Sequence, residues 1–245
     1  MPEHEIWITA QFNHYLAGMG NAALALVGLH AEDPAKPWAS YITVQILVAL
    51  VMVAVVAYLK PRLSVDRPGK LQHVFEVIYD FLRGNAEEVV GHEGPKYVAF
   101  FGTIFLFVLT CNLIGIIPAF VAPTMFPPVP LGCAVAVFLY YNLMGMKTQG
   151  VGRYLARFTG PVPAMAPLML PIELISHSAR LLSLTVRLYA NMYAGEQVTL
   201  VFLGLTYLVA PALFMGLHVF VSFLQAFVFA LLTMIYVSGA VSEEH

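Results

Sequence analysis

The chain has 245 residues, of which 60% are hydrophobic and only 11% charged. Soluble domains run nearer about 45–50% apolar and about 25% charged, so lipid must solvate much of this surface. A formal net charge of −2, without a basic run, excludes a nucleic-acid-binding surface.

The opening Met1-Pro2-Glu3-His4-Glu5 is acidic where a secretory signal would be basic, so no cleaved targeting segment is expected. Residues 1–40 mix polar and apolar positions and read as an exposed arm with one short amphipathic helix on the membrane surface. Tyr41 to Leu59 carries no charge and is long enough to cross hydrocarbon; Lys60-Pro61-Arg62 stops it. Residues 64–96 are charged throughout, yet Leu71, Val74, Phe75, Ile78, Phe81 and Leu82 recur at helical spacing. That pattern predicts an amphipathic surface helix.

A hairpin of two spans is expected over 97–146. The first runs from Tyr97 to Ile117 and halts at Pro118, and the second runs from Leu131 to Met146. Between them, the proline-rich 123–130 reads as a loop. Cys111 and Cys133 lie in apolar stretches without ligand-like spacing and read as small hydrophobes. Residues 147–167 form a polar connection with Arg153 and Arg157. Its Gly150-Val151-Gly152 lacks the third glycine and preceding strand of a dinucleotide fingerprint. Lysine and arginine follow the first and third spans and are missing from the connections after the second span and near residue 207. The positive-inside rule then places the N-terminal arm outside and the C-terminus in the cytoplasm.

Residues 168–245 are expected to form a long helical hairpin. Leu168 to Tyr207 is a helix of about 60 Å at about 1.5 Å per residue, against about 30 Å of hydrocarbon, so it must be strongly slanted. Arg187 falls at its midpoint, where insertion costs at least about 2.5–3.5 kcal/mol. At about 100° per residue, Glu173, Ser176, Arg180, Ser183 and Asn191 all fall within about 40° of Arg187, as one polar stripe. Glu196 turns to the opposite face. The last helix, Leu213 to Val237, carries its own seam of His218, Ser222, Gln225, Thr233 and Tyr236. An antiparallel pairing puts Glu196 level with His218, and Arg187 level with Gln225, about a turn in Gly204-Leu205-Thr206-Tyr207.

Stripes of Ser and Asn also serve plain helix packing, but an intramembrane arginine points to function. Arg180 reads as a snorkelling or lipid-contacting residue and His177, off the stripe, as structural or lipid-facing. Nothing brings His177, His218 and Glu196 to metal-ligand spacing, so neither a metal nor a cofactor is expected. The alternative reading is a secondary transporter holding an anionic substrate at Arg187, although neither an internal repeat nor a broken helix is evident. An intramembrane hydrolase would need a nucleophile–base cluster, which is not there.

The run Arg187-Leu188-Tyr189-Ala190-Asn191-Met192-Tyr193-Ala194-Gly195-Glu196 resembles the signature of subunit a of F-type ATP synthases. So do Asn112-Leu113-Ile114-Gly115-Ile116-Ile117-Pro118, Pro171-Ile172-Glu173-Leu174-Ile175-Ser176, Leu224-Gln225-Ala226-Phe227 and Ser242-Glu243-Glu244-His245. The similarity extends from about residue 40 to the end. Phe126-Pro127-Pro128-Val129-Pro130-Leu131 departs from it, since the family usually carries Asp or Asn there.

The resemblance implies an all-α, multi-pass membrane protein with about five membrane-embedded helices, acting as a non-catalytic proton-translocating subunit in a bacterial inner membrane. It implies a c-subunit ring, peripheral-stalk b subunits and lipid as partners. Arg187 would be the stator arginine facing the ring. Glu196 and His218 would belong to the outer half-channel, with Gln225 close to the arginine and Asn191 near the proton path, and Glu173 and Tyr236 would belong to the inner one.

Overall fold

The computed structural model describes residues 6–26, 28, 33–65, 67–117, 120–157, 166–205 and 209–241, which are helical with short connections and contain no strand. Eight α-helices follow one another: α1 (Trp7–Leu26), α2 (Ser40–Leu59), α3 (Lys70–Val90), α4 (Val98–Ile114), α5 (Pro128–Gln149), α6 (Val151–Arg157), α7 (Ala166–Leu205) and α8 (Val209–Val241). Among the described residues, four segments are long and apolar enough to cross a membrane: Ser40–Arg62, Gly94–Ile114, Pro128–Gln149 and Ala212–Val241. Helix α7 is not among them; it packs antiparallel along α8. The chain is an all-α, multi-pass membrane protein.

The main core lies where α4, α5, α7 and α8 meet, around Phe101, Phe105, Val137, Leu188, Phe229 and Met234. Lipid is as apolar as these side chains, so close packing and buried hydrogen bonds, more than water exclusion, hold the helices together. Ser238 donates to the Val89 carbonyl at 2.8 Å, pinning α8 to the end of α3. Gln149 donates to the Ala240 carbonyl at 3.0 Å, pinning α5 to the end of α8. Asn112 is fully buried; it accepts from Thr124 at 2.7 Å and donates to the Ser222 carbonyl at 3.4 Å.

Helix α3 keeps its charge at the surface, where Arg83 donates to Glu87 at 2.9 Å one turn away. That hydrogen bond and the carboxylate's charge hold the Arg83 guanidinium above its ordinary pKa. Helix α1 is longer than the short amphipathic helix expected and breaks its helical geometry at Leu16. It is tied to α2 by the Thr9–Thr43 hydroxyl pair at 2.7 Å and by Trp38 Nε1 donating to the Leu16 carbonyl at 2.9 Å.

Two expectations change. The stretch 123–130 is not all loop: Pro123–Met125 is a 3₁₀ turn and α5 begins at Pro128. Pro128 and Pro130 occupy the first turn, where amide hydrogens have no intrahelical acceptor, so the missing N–H costs nothing. The connection expected over 147–167 contains helix α6, folded back after Gly150, whose φ of +82° suits glycine. Helix α7 continues through Gly204 and Leu205; the remaining turn residues 206–207, the Pro161-Val162-Pro163 segment, Pro118 and the closing 242–245 lie outside the described residues.

The corner between α3 and α4 depends on Gly94. A Cβ there would stand 2.3 Å from the Ala86 carbonyl oxygen and 2.6 Å from its carbon, and backbone cannot yield as a side-chain tip does. Gly94→Ala is expected to destabilise the subunit by about 1–3 kcal/mol. Gly84→Ala, in open space within α3, is expected to be neutral or stabilising by up to about 1 kcal/mol. Thermal inactivation of the purified protein compares the two.

Candidate functional site: an unpaired arginine between two cavities

Helix α7 has 40 residues and Arg187 stands near its middle. Its buried residues His177, Leu184, Thr185, Leu188 and Met192 gather on a face centred about 100° round the helix from Arg187. The stripe of Glu173, Ser176, Arg180, Ser183, Arg187 and Asn191 therefore runs along one edge of the packed face, and Glu196 stands on the other edge. Pro171 sits inside the first turns without ending the helix.

Along the stripe, contacts to α8 fix an antiparallel register. Asn191 Nδ2 donates to Gln225 Oε1 at 2.8 Å. The Ser222 hydroxyl lies 3.9 Å from the Met192 sulfur. Gly195 faces the His218 ring so closely that a Cβ would lie 2.9 Å from Nδ1. The Arg180 guanidinium stands over the Tyr236 ring at 5.5 Å. These pairs share a midpoint near residue 207, at about one residue of rise per step on each helix.

The partners differ from expectation in detail. Gln225 is buried and bonds Asn191, one turn beyond Arg187. His218 is buried against Gly195 and lies within electrostatic reach of Glu196, without a hydrogen bond between them. Ser222 and Thr233 are buried in the same seam and Tyr236 is half-buried.

Arg187 itself is half-exposed. Among the described residues its guanidinium makes one long hydrogen bond, to the Ser183 hydroxyl at 3.4 Å, and no carboxylate lies at ion-pair distance.

Two cavities flank it along the helix axis. One, of about 220 Å³, is lined by Asn191, Gly195, Thr199, Phe214 and His218, on the C-terminal side of Arg187 along α7. His218 Nε2 and Gln225 Nε2, both buried, find no hydrogen-bond partner among the described residues. The other cavity, of about 120 Å³, is lined by Tyr141, Tyr154, Glu173, His177 and Arg180, with the backbone of Gly239 and Ala240. His177 is buried between α5 and α7, edge-on to Phe138 and Tyr141, which fits the structural alternative of its sequence reading and not the lipid-facing one. Arg180 turns inward to this cavity rather than out to lipid. Groups of three or more His, Cys, Asp or Glu able to hold a metal are absent among the described residues.

Periodicity alone does not reveal Tyr141, Tyr154 or Asn112 with its partner Thr124. Asn112 is the one polar amide in an otherwise apolar span, and that isolation was a usable signal. Tyr141 had none, since Tyr140 beside it looks the same in sequence.

Fold and site together define an all-α, multi-pass membrane protein in which Arg187 has no carboxylate at ion-pair distance among the described residues. The sequence profile of the family described as ATP synthase A chain matches residues 40–238. ATP synthase subunit a of Solibacter usitatus (strain Ellin6076) is 64% identical over 234 residues, covering 96% of this chain and 100% of that protein. That of Koribacter versatilis (strain Ellin345) is 43% identical over 242 residues, 99% of each chain. ATP synthase subunit a 3 of Pelobacter propionicus is 39% identical over 220 residues, 90% of this chain and 94% of that one. The chain belongs to the ATP synthase subunit a family.

Proposed function

We propose that this chain is the stator subunit a of a rotary F-type ATP synthase in a bacterial plasma membrane, with Arg187 governing the charge of carboxylates on a passing c-subunit ring. The observation that carries the reading is a half-exposed guanidinium at the middle of a membrane helix, without an ion-pair partner among the described residues and flanked by one cavity on each side along the axis.

A rotor carboxylate facing lipid must be protonated, because a charged carboxylate there is prohibitively costly. Opposite Arg187 the fixed cation favours the ionised form. Arginine suits the task because it stays charged and lends no proton to the path. The cavity at Asn191 and His218, with Glu196 and Gln225, is the outer half-channel; the cavity at Glu173, with Tyr236 beside it, is the inner one. Because the two lie at different depths, a proton crosses only by riding the rotor from one to the other. A membrane potential adds about 2.3 kcal/mol per charge per 100 mV.

In this arrangement the N-terminus lies outside and the C-terminus in the cytoplasm, in keeping with Lys60, Arg62, Lys147 and Arg153 after the first and third spans. Peripheral-stalk b subunits and lipid are the other neighbours. Purified from its membrane, the complex should contain a ring of small hairpin subunits.

Thiol accessibility tests the arrangement. Glu196→Cys and His218→Cys are expected to react with a membrane-impermeant thiol reagent from the extracytoplasmic side only, and Glu173→Cys from the cytoplasmic side only. Glu196→Gln is expected to slow proton transport. Equal reactivity of all three from one side would show that the two cavities do not serve opposite faces.

A further inference from the structure

The inner cavity contains more proton-handling chemistry than Glu173. Tyr141 is 2% exposed, yet its hydroxyl makes no hydrogen bond of good geometry among the described residues. It lines the same cavity as His177, whose ring lies edge-on to it with centroids 5.8 Å apart. His177 Nδ1 in turn lies 3.8 Å from Glu173 Oε1. Glu173 is the outermost of the three, with a side chain 40% exposed. Helices α5 and α7 thus bring a carboxylate, an imidazole and a phenol into one cavity, ordered from the exposed end inward.

A buried hydroxyl without a partner is costly in a dry site and ordinary in a wet one. A polar cavity of about 120 Å³ exceeds the space that one water needs several-fold. Tyr154 makes one wall, and its hydroxyl already donates to Asn142 Oδ1 at 2.8 Å, so it does not compete for that water. Arg180, held over Tyr236, keeps a positive charge at the deep end, between this cavity and Arg187.

We propose that Tyr141 and His177 are members of the cytoplasmic proton path, which continues inward from Glu173 through a hydrated vestibule between α5, α7 and α8. This rests on the half-channel reading given above. A proton released by a rotor carboxylic acid leaves the carboxylate behind and enters the vestibule water. The Tyr141 hydroxyl accepts one proton and donates its own, and the His177 ring takes one on one nitrogen and gives one from the other. Glu173 accepts it as a carboxylic acid and releases it to the cytoplasm as a carboxylate. Each group ends as it began, and the reverse sequence serves pumping.

Inverted membrane vesicles carrying the complete complex, with Cys111 and Cys133 replaced by alanine, provide the test. Tyr141→Cys, Glu173→Cys and the lipid-facing Leu139→Cys are each treated with a small membrane-impermeant methanethiosulfonate on the exposed cytoplasmic face. Labelling of the first two, with loss of ATP-driven proton uptake, and no labelling of the third is the expected result. His177→Leu should lower proton uptake per assembled complex by about ten-fold, and His177→Gln, which keeps a polar group in the vestibule, should recover part of it. Labelling at position 173 but not at 141, or full uptake with His177→Leu, overturns the proposal and leaves the inner half-channel standing. Labelling at neither 141 nor 173 removes the half-channel reading itself.

Discussion

Arg187→Lys is expected to reduce ATP-driven proton pumping by at least about a hundred-fold, equivalent to about 2.7 kcal/mol, while the subunit still assembles. Little inside the chain depends on the guanidinium: it is half-exposed and has one long hydrogen bond to Ser183. Lysine is nearly as good a helix former, so α7 keeps its length and its register against α8. What changes is the permanence of the charge. A lysine in apolar surroundings can lose its proton, since burial lowers an ammonium pKa by up to about 3–5 units. It would then stop favouring the ionised rotor carboxylate, and it could also hand a proton across the barrier. Lysine also lacks the planar fork that lets arginine hold a carboxylate through two donors. Quenching of a pH-sensitive dye in inverted vesicles measures pumping, and co-purification of the complex measures assembly. Pumping above about a tenth of the wild-type rate, at equal assembly, would mean that any cation suffices and that the barrier lies elsewhere.

How far this site could be read from sequence depended on what helical periodicity encodes. Spacing along one helix fixes which residues share a face, so the stripe from Glu173 to Asn191 and the opposed Glu196 were legible before any neighbour was known. The hairpin register was legible too, because polar residues recur on both helices and must meet in an apolar medium. Periodicity does not say which helix lies against which face. His177 looked peripheral because it sits about 80° from Arg187, and that direction turns out to point at Phe138 and Tyr141 on α5. Tyr141 was hidden for the same reason, and Tyr154 because the fold-back at Gly150 is a tertiary event. The early start of α5 was missed because four prolines in 123–130 suggested a loop, although the first helical turn tolerates proline. Gln225 was expected level with Arg187, but it accepts from Asn191, one turn further along α7.

Gly195→Ala is expected to damage the subunit as well, through packing rather than charge. Its Cβ would stand 2.9 Å from His218 Nδ1 and 3.3 Å from Cε1, inside ordinary contact distance. The ring, otherwise buried on α8, can retreat only toward the cavity it lines. Either the histidine leaves its rotamer or the two helices part beside the outer cavity, at a cost of about 1–3 kcal/mol. Combination with His218→Ala separates packing from chemistry. Removing the ring frees the space that the new methyl needs, so the double variant should regain the assembly lost in Gly195→Ala; the two changes are in contact and should couple strongly. Proton transport should stay low in the double variant, because the outer path would still lack its imidazole. Assembly is read from complex yield and thermal midpoint, and transport from the same vesicle assay. Recovery of both together would reduce His218 to a packing residue, whereas recovery of assembly alone leaves it in the proton path.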